Sequence, residues 1–572
     1  MTINGIGVSS GIAIGKAHLL KKQEAALSGV VLANDADITI EIEKFNNAVI
    51  ISVQEIETLI SSYDQSQGKE GLEILETHIE LLTDPQISED VTEKISKEKK
   101  NANDAVIEVI RAAVDLFKNM DDEYLSARAA DVQDIGNRLL GNLNASVSTT
   151  IAAYEVDTII ITEDLTPSDT ISMDTRHVAG FATQVGGRTS HAAIIARSRG
   201  IPAIVGCGIT LMDIKDGDSL ILDGQSGAII INPNQETVEQ YRIKQENWQV
   251  QADLLRSLKD TPATTIDGVN IKLMANIGDA NDMEQAIGFG AEGSGLLRTE
   301  LLFMGRDALP DEDEQFEFYK AVALKAKGKP VIVRTLDIGG DKQLSYFNFP
   351  AEQNPFLGYR AIRICLDRPD IFIVQLKAIL RASAFGRLKI MFPMISNIQE
   401  VRAAKTILQQ AKDELAGAGI AFDQNTPVGI MIEIPSAAVT ADLLAKEVDF
   451  FSIGTNDLCQ YTLAVDRMNE QIKELYDPYN PGVLRLIAYV IEQGHKNNVE
   501  VGMCGELASD PKATLLLLGM GLTEFSMSAA AIPEIKHIII HSDLVKAKQI
   551  HSRVMEMDSS TAITAYLQEI TL

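Results

Sequence analysis

Cysteine is scarce in this chain, with four residues among 572, at positions 207, 365, 459 and 504. So few thiols fit a reducing cytoplasm better than an oxidising compartment. Long apolar runs are also missing. None approaches the roughly 18 residues a membrane helix requires, so no membrane insertion is expected. The start, Met1-Thr2-Ile3-Asn4-Gly5, lacks the basic segment and apolar core of a secretory signal, which again points to a cytoplasmic location. Positive charge is in deficit, with 51 Lys and Arg against 80 Asp and Glu and a formal net charge of −29. That charge repels nucleic acid and anionic lipid, and attracts basic protein partners. No Gly-x-x-x-x-Gly-Lys-Ser/Thr loop occurs, which disfavours an ATP-driven reaction. What remains is ordinary for a globular protein, 45% hydrophobic and 23% charged, and long enough for two to four domains.

The start of the chain, with Gly5, Gly7, Gly11 and Gly15 among β-branched residues, predicts a short strand and tight turns. From about 35 to 145 the pattern is helical, with Ile38, Ile42, Phe45, Val49, Ile56 and Ile60 on one face. Further helical runs at 72–82, 87–117 and 123–143 are broken by Asp84-Pro85 and Asp121-Asp122, which predicts an all-α insert of helical hairpins. Strand-type runs return at 158–161, 178–183, 203–205 and 220–231, the last split by Asp223-Gly224-Gln225-Ser226-Gly227. Residues 233–260, with the sole Trp248, read as a polar linker helix. Beyond it, eight apolar runs beginning at 271, 295, 331, 388, 428, 450, 499 and 524 alternate with helical stretches, which predicts a (β/α)₈ barrel. The expected organisation is a multidomain α/β protein. It has a β/α domain at 1–20 and 146–232, the all-α insert at 21–145, the linker at 233–260 and the barrel at 261–572.

Barrel chemistry is built on the loops after the strands. Arg298, Arg334, Glu433, Asn456, Asp457 and Cys504 all fall at or just past predicted strand ends. Glu433 and Asp457 offer hard oxygen ligands of the kind Mg²⁺ takes, although either acid alone also suits a turn or a helix cap. Arg298, Arg334 and Arg467, with Arg360 as a fourth, could converge on an anion that carries phosphate and carboxylate groups, or could be separate surface charges. Cys504, between Gly502 and Gly505, could present an accessible thiol that is protonated at neutral pH and able to act as a general acid; the alternative is a small buried hydrophobe. In the β/α domain, Gly186-Gly187-Arg188-Thr189-Ser190-His191 leads from a strand into a helix of small residues. A histidine at that helix start is a nucleophile facing backbone N–H groups suited to a phosphoryl anion, or an incidental residue beside a capping serine.

The string from Gly186 to Arg197 and the string Asp449-Phe450-Phe451-Ser452-Ile453-Gly454-Thr455-Asn456-Asp457-Leu458-Cys459-Gln460-Tyr461 together resemble the phosphotransferase system enzyme I family, in family order. The likeness extends from residue 5 to about 530. The resemblance implies a swivelling phosphohistidine domain with His191 as acceptor and Thr170 orienting it. It implies phosphoenolpyruvate bound by Arg298, Arg334, Asn456 and Arg467 with Arg360 nearby, and Mg²⁺ held by Glu433 and Asp457. Cys504 becomes the proton donor that yields pyruvate. It further implies that the phosphocarrier HPr docks on the helical insert around His78 and Arg128, and that barrels pair into a homodimer. Pyruvate phosphate dikinase and phosphoenolpyruvate synthase are similar in the histidine domain and barrel, but carry a large nucleotide-binding domain in front. A silent scaffold would show broken motifs, whereas His191, Glu433, Asp457 and Cys504 are all present.

Overall fold

The computed structural model describes residues 2–570 apart from 21–26, 63–69, 119–122, 145–155, 167–172, 174–176, 188–189, 305, 307, 341, 343, 345, 348, 350–351 and 470. The chain forms two units, Met1–Gln251 and Ala252–Leu572.

The first unit holds an eight-stranded mixed sheet. Its strands are β1 (Thr2–Asn4), β2 (Ile6–Ser9), β3 (Ile12–Leu19), β4 (Thr158–Thr162), β5 (Val178–Thr183), β6 (Ala203–Val205), β7 (Ser219–Asp223) and β8 (Ala228–Ile231), in the order β1-β8-β7-β3-β4-β5-β6-β2. Central strand β4 is buried along its whole length, because the run Ile159-Ile160-Ile161 feeds two cores. Ile159 and Ile161 point into one apolar cluster and Ile160 into the other, as the two-residue period of a strand requires.

Between β3 and β4 lie α1 (Asp35–Ser62), α2 (Glu70–Leu82), α3 (Pro85–Lys97), α4 (Ala102–Lys118) and α5 (Glu123–Leu143). Phe45 and Ile56 of the predicted α1 stripe are buried among Leu75, Val91, Ile95 and Val106. Asp84 caps α3, with Pro85 in its first turn. The single helix expected over 87–117 is in fact two. Lys99 takes a left-handed conformation (φ 55°), and the Asn101 side chain accepts from the Asp104 N–H at 2.9 Å to start α4 afresh. After β5, α6 (His191–Arg199) is capped by Ser190 at its start and ended by left-handed Gly200. Ala192, Ala193 and Ala196 of α6 pack on the sheet, while Ile195 enters the helical core. The small-residue helix thus joins the two layers.

The polar run after β8 forms α7 (Gln235–Ser257), and the division between units falls inside it. It is tied to the first unit by Lys244 with Asp223 at 2.6 Å and by Gln245, which donates to the Ile12 carbonyl at 2.7 Å.

The second unit is a closed, all-parallel barrel of β9 (Lys272–Ile277), β10 (Ser294–Arg298), β11 (Val331–Arg334), β12 (Leu388–Phe392), β13 (Val428–Ile432), β14 (Phe450–Ile453), β15 (Glu500–Met503) and β16 (Glu524–Met527), with β16 returning to β9. Leu296, Ile332, Met391, Met431 and Phe450 fill its interior. Met394 and Met503 lie in the larger core around the strands. At the N-terminal end of the strands, Glu500 binds Lys272 at 3.0 Å and Lys389 at 2.9 Å. Burial alone would raise the Glu500 carboxyl, but these two lysines hold it down at about 2. Among the described residues, no helix is long and apolar enough to cross a membrane. All four cysteines are free and buried.

Candidate active site

The C-terminal ends of the barrel strands carry the predicted residues. Arg298 and Arg334 end β10 and β11, and Glu433 and Cys504 follow β13 and β15 by one residue. Asn456 and Asp457 open the helix Thr455–Leu463 after β14.

Two of the arginines converge. Arg334 and Arg360 are almost fully buried, and both grip Asp337, at 3.0 Å each. Arg334 also binds Glu300 at 2.6 Å, and Lys342 reaches Glu300 at 2.7 Å and Asp337 at 3.4 Å. Arg360 extends toward Asp457 (3.8 Å) and the Tyr461 hydroxyl (3.1 Å), and Arg467 toward Asp457 from the other side (4.0 Å). Burial opposes charge on both guanidinium groups, yet the surrounding carboxylates keep them firmly protonated. Arg298 ends its strand with an exposed side chain at the rim.

Glu300, Asp337, Lys342 and Tyr461 are members of this cluster that the sequence reading did not single out. Glu300 lies two residues after Arg298, and Asp337 and Lys342 lie three and eight residues after Arg334. A carboxylate that near a buried arginine is the usable signal, since an unpaired guanidinium could not be buried.

Glu433 is 1% exposed and accepts from the Met394 N–H at 2.6 Å. Burial, and then the negative charge of neighbouring Asp457, pushes its carboxyl up to about 8. Asp457 Oδ1 is buried without a hydrogen-bond partner. A Cβ at Gly454 would lie 3.1 Å from Glu433 Oε2, so glycine there leaves the carboxylate free to face its neighbour. Two close carboxylates, one raised and one with an orphaned oxygen, fit a divalent cation whose other ligands are substrate oxygens and water. Among the described residues, no group of three or more His, Cys, Asp or Glu side chains is arranged to hold a metal ion.

Cys504 differs from the accessible thiol expected. It is 5% exposed and lines the barrel interior with Leu296, Met391 and Met431. Burial pushes its thiol up to about 11, so it is protonated at neutral pH more completely than an ordinary cysteine. Asn456 is held on both ends of its amide by Glu506, donating to the carboxylate at 3.1 Å and accepting from the backbone N–H at 3.0 Å.

In the first unit, His191 is the first residue of α6, behind the Ser190 cap. Its side chain, that of Arg128, and the whole of Thr170 lie outside the described residues. His78, expected on a docking surface, is instead 1% exposed and bonded to Asp131 at 3.3 Å, with Asp134 at 3.8 Å. It is buried within the helical layer rather than on its surface.

Comparison with known proteins agrees with this geometry. Residues 252–544 match the PEP-utilising enzyme, PEP-binding domain; residues 4–128 match the N-terminal region of PEP-utilising enzymes and residues 154–227 their mobile domain. The chain belongs to the PEP-utilising enzyme family. Proteins named phosphoenolpyruvate-protein phosphotransferase are similar along its whole length. That of Staphylococcus carnosus (strain TM300) is 44% identical over 100% of this chain and 99% of its own. Those of Geobacillus stearothermophilus and Bacillus subtilis (strain 168) are each 46% identical over 99% of this chain and 98% and 99% of their own. In this PEP-utilising enzyme the PEP-binding region begins at residue 252, where the second structural unit also begins. His191 falls in the mobile-domain region, and the barrel-mouth cluster falls wholly in the PEP-binding region.

Proposed function

We propose that this chain is a phosphoenolpyruvate-protein phosphotransferase, enzyme I of the bacterial sugar phosphotransferase system. It moves a phosphoryl group from phosphoenolpyruvate to His191, releases pyruvate, and passes the group to the histidine of the phosphocarrier HPr. The observation that carries the reading is the convergence of buried Arg334 and Arg360 beside the Glu433–Asp457 pair at one barrel mouth.

Arginine forks match both the phosphate and the carboxylate of phosphoenolpyruvate, and Arg298, Arg334, Arg360, Arg467 and Asn456 are the groups that bind it. Glu433 and Asp457 would hold Mg²⁺, which when bound would neutralise phosphate charge. His191 is the nucleophile and Thr170 orients it. The P–O ester bond breaks as the P–N bond to the imidazole forms, and the electron pair leaves on enolpyruvate. Cys504 then gives its proton to the methylene carbon to make pyruvate, and its thiolate is reprotonated from water. Keeping this thiol neutral is what burial achieves. The His191 domain swivels between the barrel and HPr docked on the helical insert, and the barrels pair into a homodimer. The enzyme works in the cytoplasm.

The test is incubation with labelled phosphoenolpyruvate and Mg²⁺, with and without ATP. Acid-labile label on His191 without ATP is expected. Labelling that requires ATP, or that appears on another residue, overturns the proposal.

A further inference from the structure

Asn276 is the penultimate residue of β9, and its side-chain amide donates to the backbone carbonyl of Cys504 at 2.9 Å. Ser526, in the middle of β16 and 2% exposed, donates its hydroxyl to the oxygen of the same amide at 2.7 Å. The Cys504 carbonyl can only accept, so it draws the NH2 end of the amide, and the serine hydroxyl satisfies the oxygen end. From the opposite side, the Cys504 N–H donates to the Ile453 carbonyl of β14 at 3.1 Å. The ladder between β15 and β16 ends at Met503 with Phe525. Just past that point, a side chain from one strand further round takes over and holds the next carbonyl.

This arrangement is prepared by a third strand. A Cβ at Gly295 of β10 would lie 2.5 Å from both Cβ and Oγ of Ser526, so only glycine leaves the hydroxyl in place. Polar groups inside a barrel are costly unless bonded, and here each bond leads on to the next until the chain reaches Cys504.

We propose that Asn276 and Ser526 are positioning residues for proton delivery. By fixing the peptide unit that follows Cys504, they direct its thiol at one face of the methylene carbon. The inference rests on Cys504 being the proton donor. Neither residue touches the phosphoryl group, so they should govern protonation and leave cleavage of the phosphate ester nearly untouched. Misplacing a reacting group by about 1 Å can cost on the order of 100-fold in rate.

Two variants test this on the full chain with Mg²⁺. Asn276→Asp keeps the shape and the bond from Ser526, but sets an acceptor against the Cys504 carbonyl. Ser526→Ala removes the donor to the Asn276 oxygen and loosens the amide that holds the Cys504 carbonyl. Two partial reactions are measured on each preparation, single-turnover labelling by phosphoenolpyruvate and exchange of pyruvate methyl hydrogens in heavy water, and the stereochemistry of deuterium uptake is read from phosphoenolpyruvate carrying tritium at one methylene position. Labelling is expected within about threefold of wild type, while exchange falls about 100-fold in Asn276→Asp and about tenfold in Ser526→Ala, with stereospecificity lost. Wild-type exchange and stereospecific uptake in both variants overturns the proposal. So does an equal fall in both partial reactions, which would make the pair merely structural. Cys504→Ala is the control: stereospecific uptake surviving in that variant overturns the assignment of the proton donor itself, and with it this inference.

Discussion

Glu433 and Asp457 show most directly how single residues shape this site. Glu433 is raised first by burial and then by the repelling charge of Asp457, whose Oδ1 accepts no hydrogen bond. A bound cation turns that repulsion into attraction. Glu433→Gln or Asp457→Asn should therefore lower labelling by phosphoenolpyruvate about 100-fold or more and raise the Mg²⁺ concentration needed for half-maximal rate. On the proposed mechanism, exchange between His191 and HPr should stay near wild type. A Mg²⁺ titration unchanged in either variant removes that residue from the ligand set. Much of the site was legible at this scale, because charged residues just past apolar strand runs must lie at the barrel mouth. Depth was not legible. Spacing placed Cys504 at a strand end and His78 on a helix, but what covers them comes from other strands and helices: Leu296 and Met431 for the thiol, Asp131 and Asp134 for the imidazole.

At the scale of elements, the strands were the easiest to read, since runs such as Val428–Ile432 are buried end to end and carry no competing helical period. The break between α3 and α4 was hidden because it depends on a left-handed lysine rather than on glycine or proline. Its one local mark is Asn101 three residues before Asp104, a capping pair inside an otherwise continuous helical pattern. The lower rim of the barrel carries its own prediction. The Glu500 carboxyl is held at about 2, well below its ordinary value of 4.5, so its pairing with Lys272 and Lys389 stabilises the fold above that ordinary value. The contribution is lost as pH falls from 4.5 toward 2. Glu500→Gln should accordingly be less stable than wild type at about pH 6, with the gap closing as the acid limit is approached. Denaturant unfolding followed by circular dichroism at several pH values measures it. A gap that stays constant into acid would show that charge pairing is not its cause.

At the scale of the whole molecule, the chain divides within α7, and each side of the division has cores of its own. A fragment ending at Gln251 should fold alone and melt in one transition. It should accept phosphoryl groups from phosphorylated HPr yet show no labelling by phosphoenolpyruvate, because the PEP-binding region is missing. Appreciable labelling of that fragment by phosphoenolpyruvate would mean that the two halves of the chemistry have been assigned to the wrong units. The eightfold alternation made the barrel readable from sequence, but its closure is a fact of topology alone: β16 returns to β9, and Ser526 meets Asn276 across 250 residues. Closure also sets a timetable for synthesis. At roughly 5 to 20 residues per second, the ribosome needs about 10 to 50 s between making the first barrel strand and the last. Until then the growing sheet has two open edges of unpaired backbone, the state most prone to wrong partners. The first unit is synthesised before that interval begins, so its sheet and helices can be complete while the second unit is still waiting for the strand that seals it.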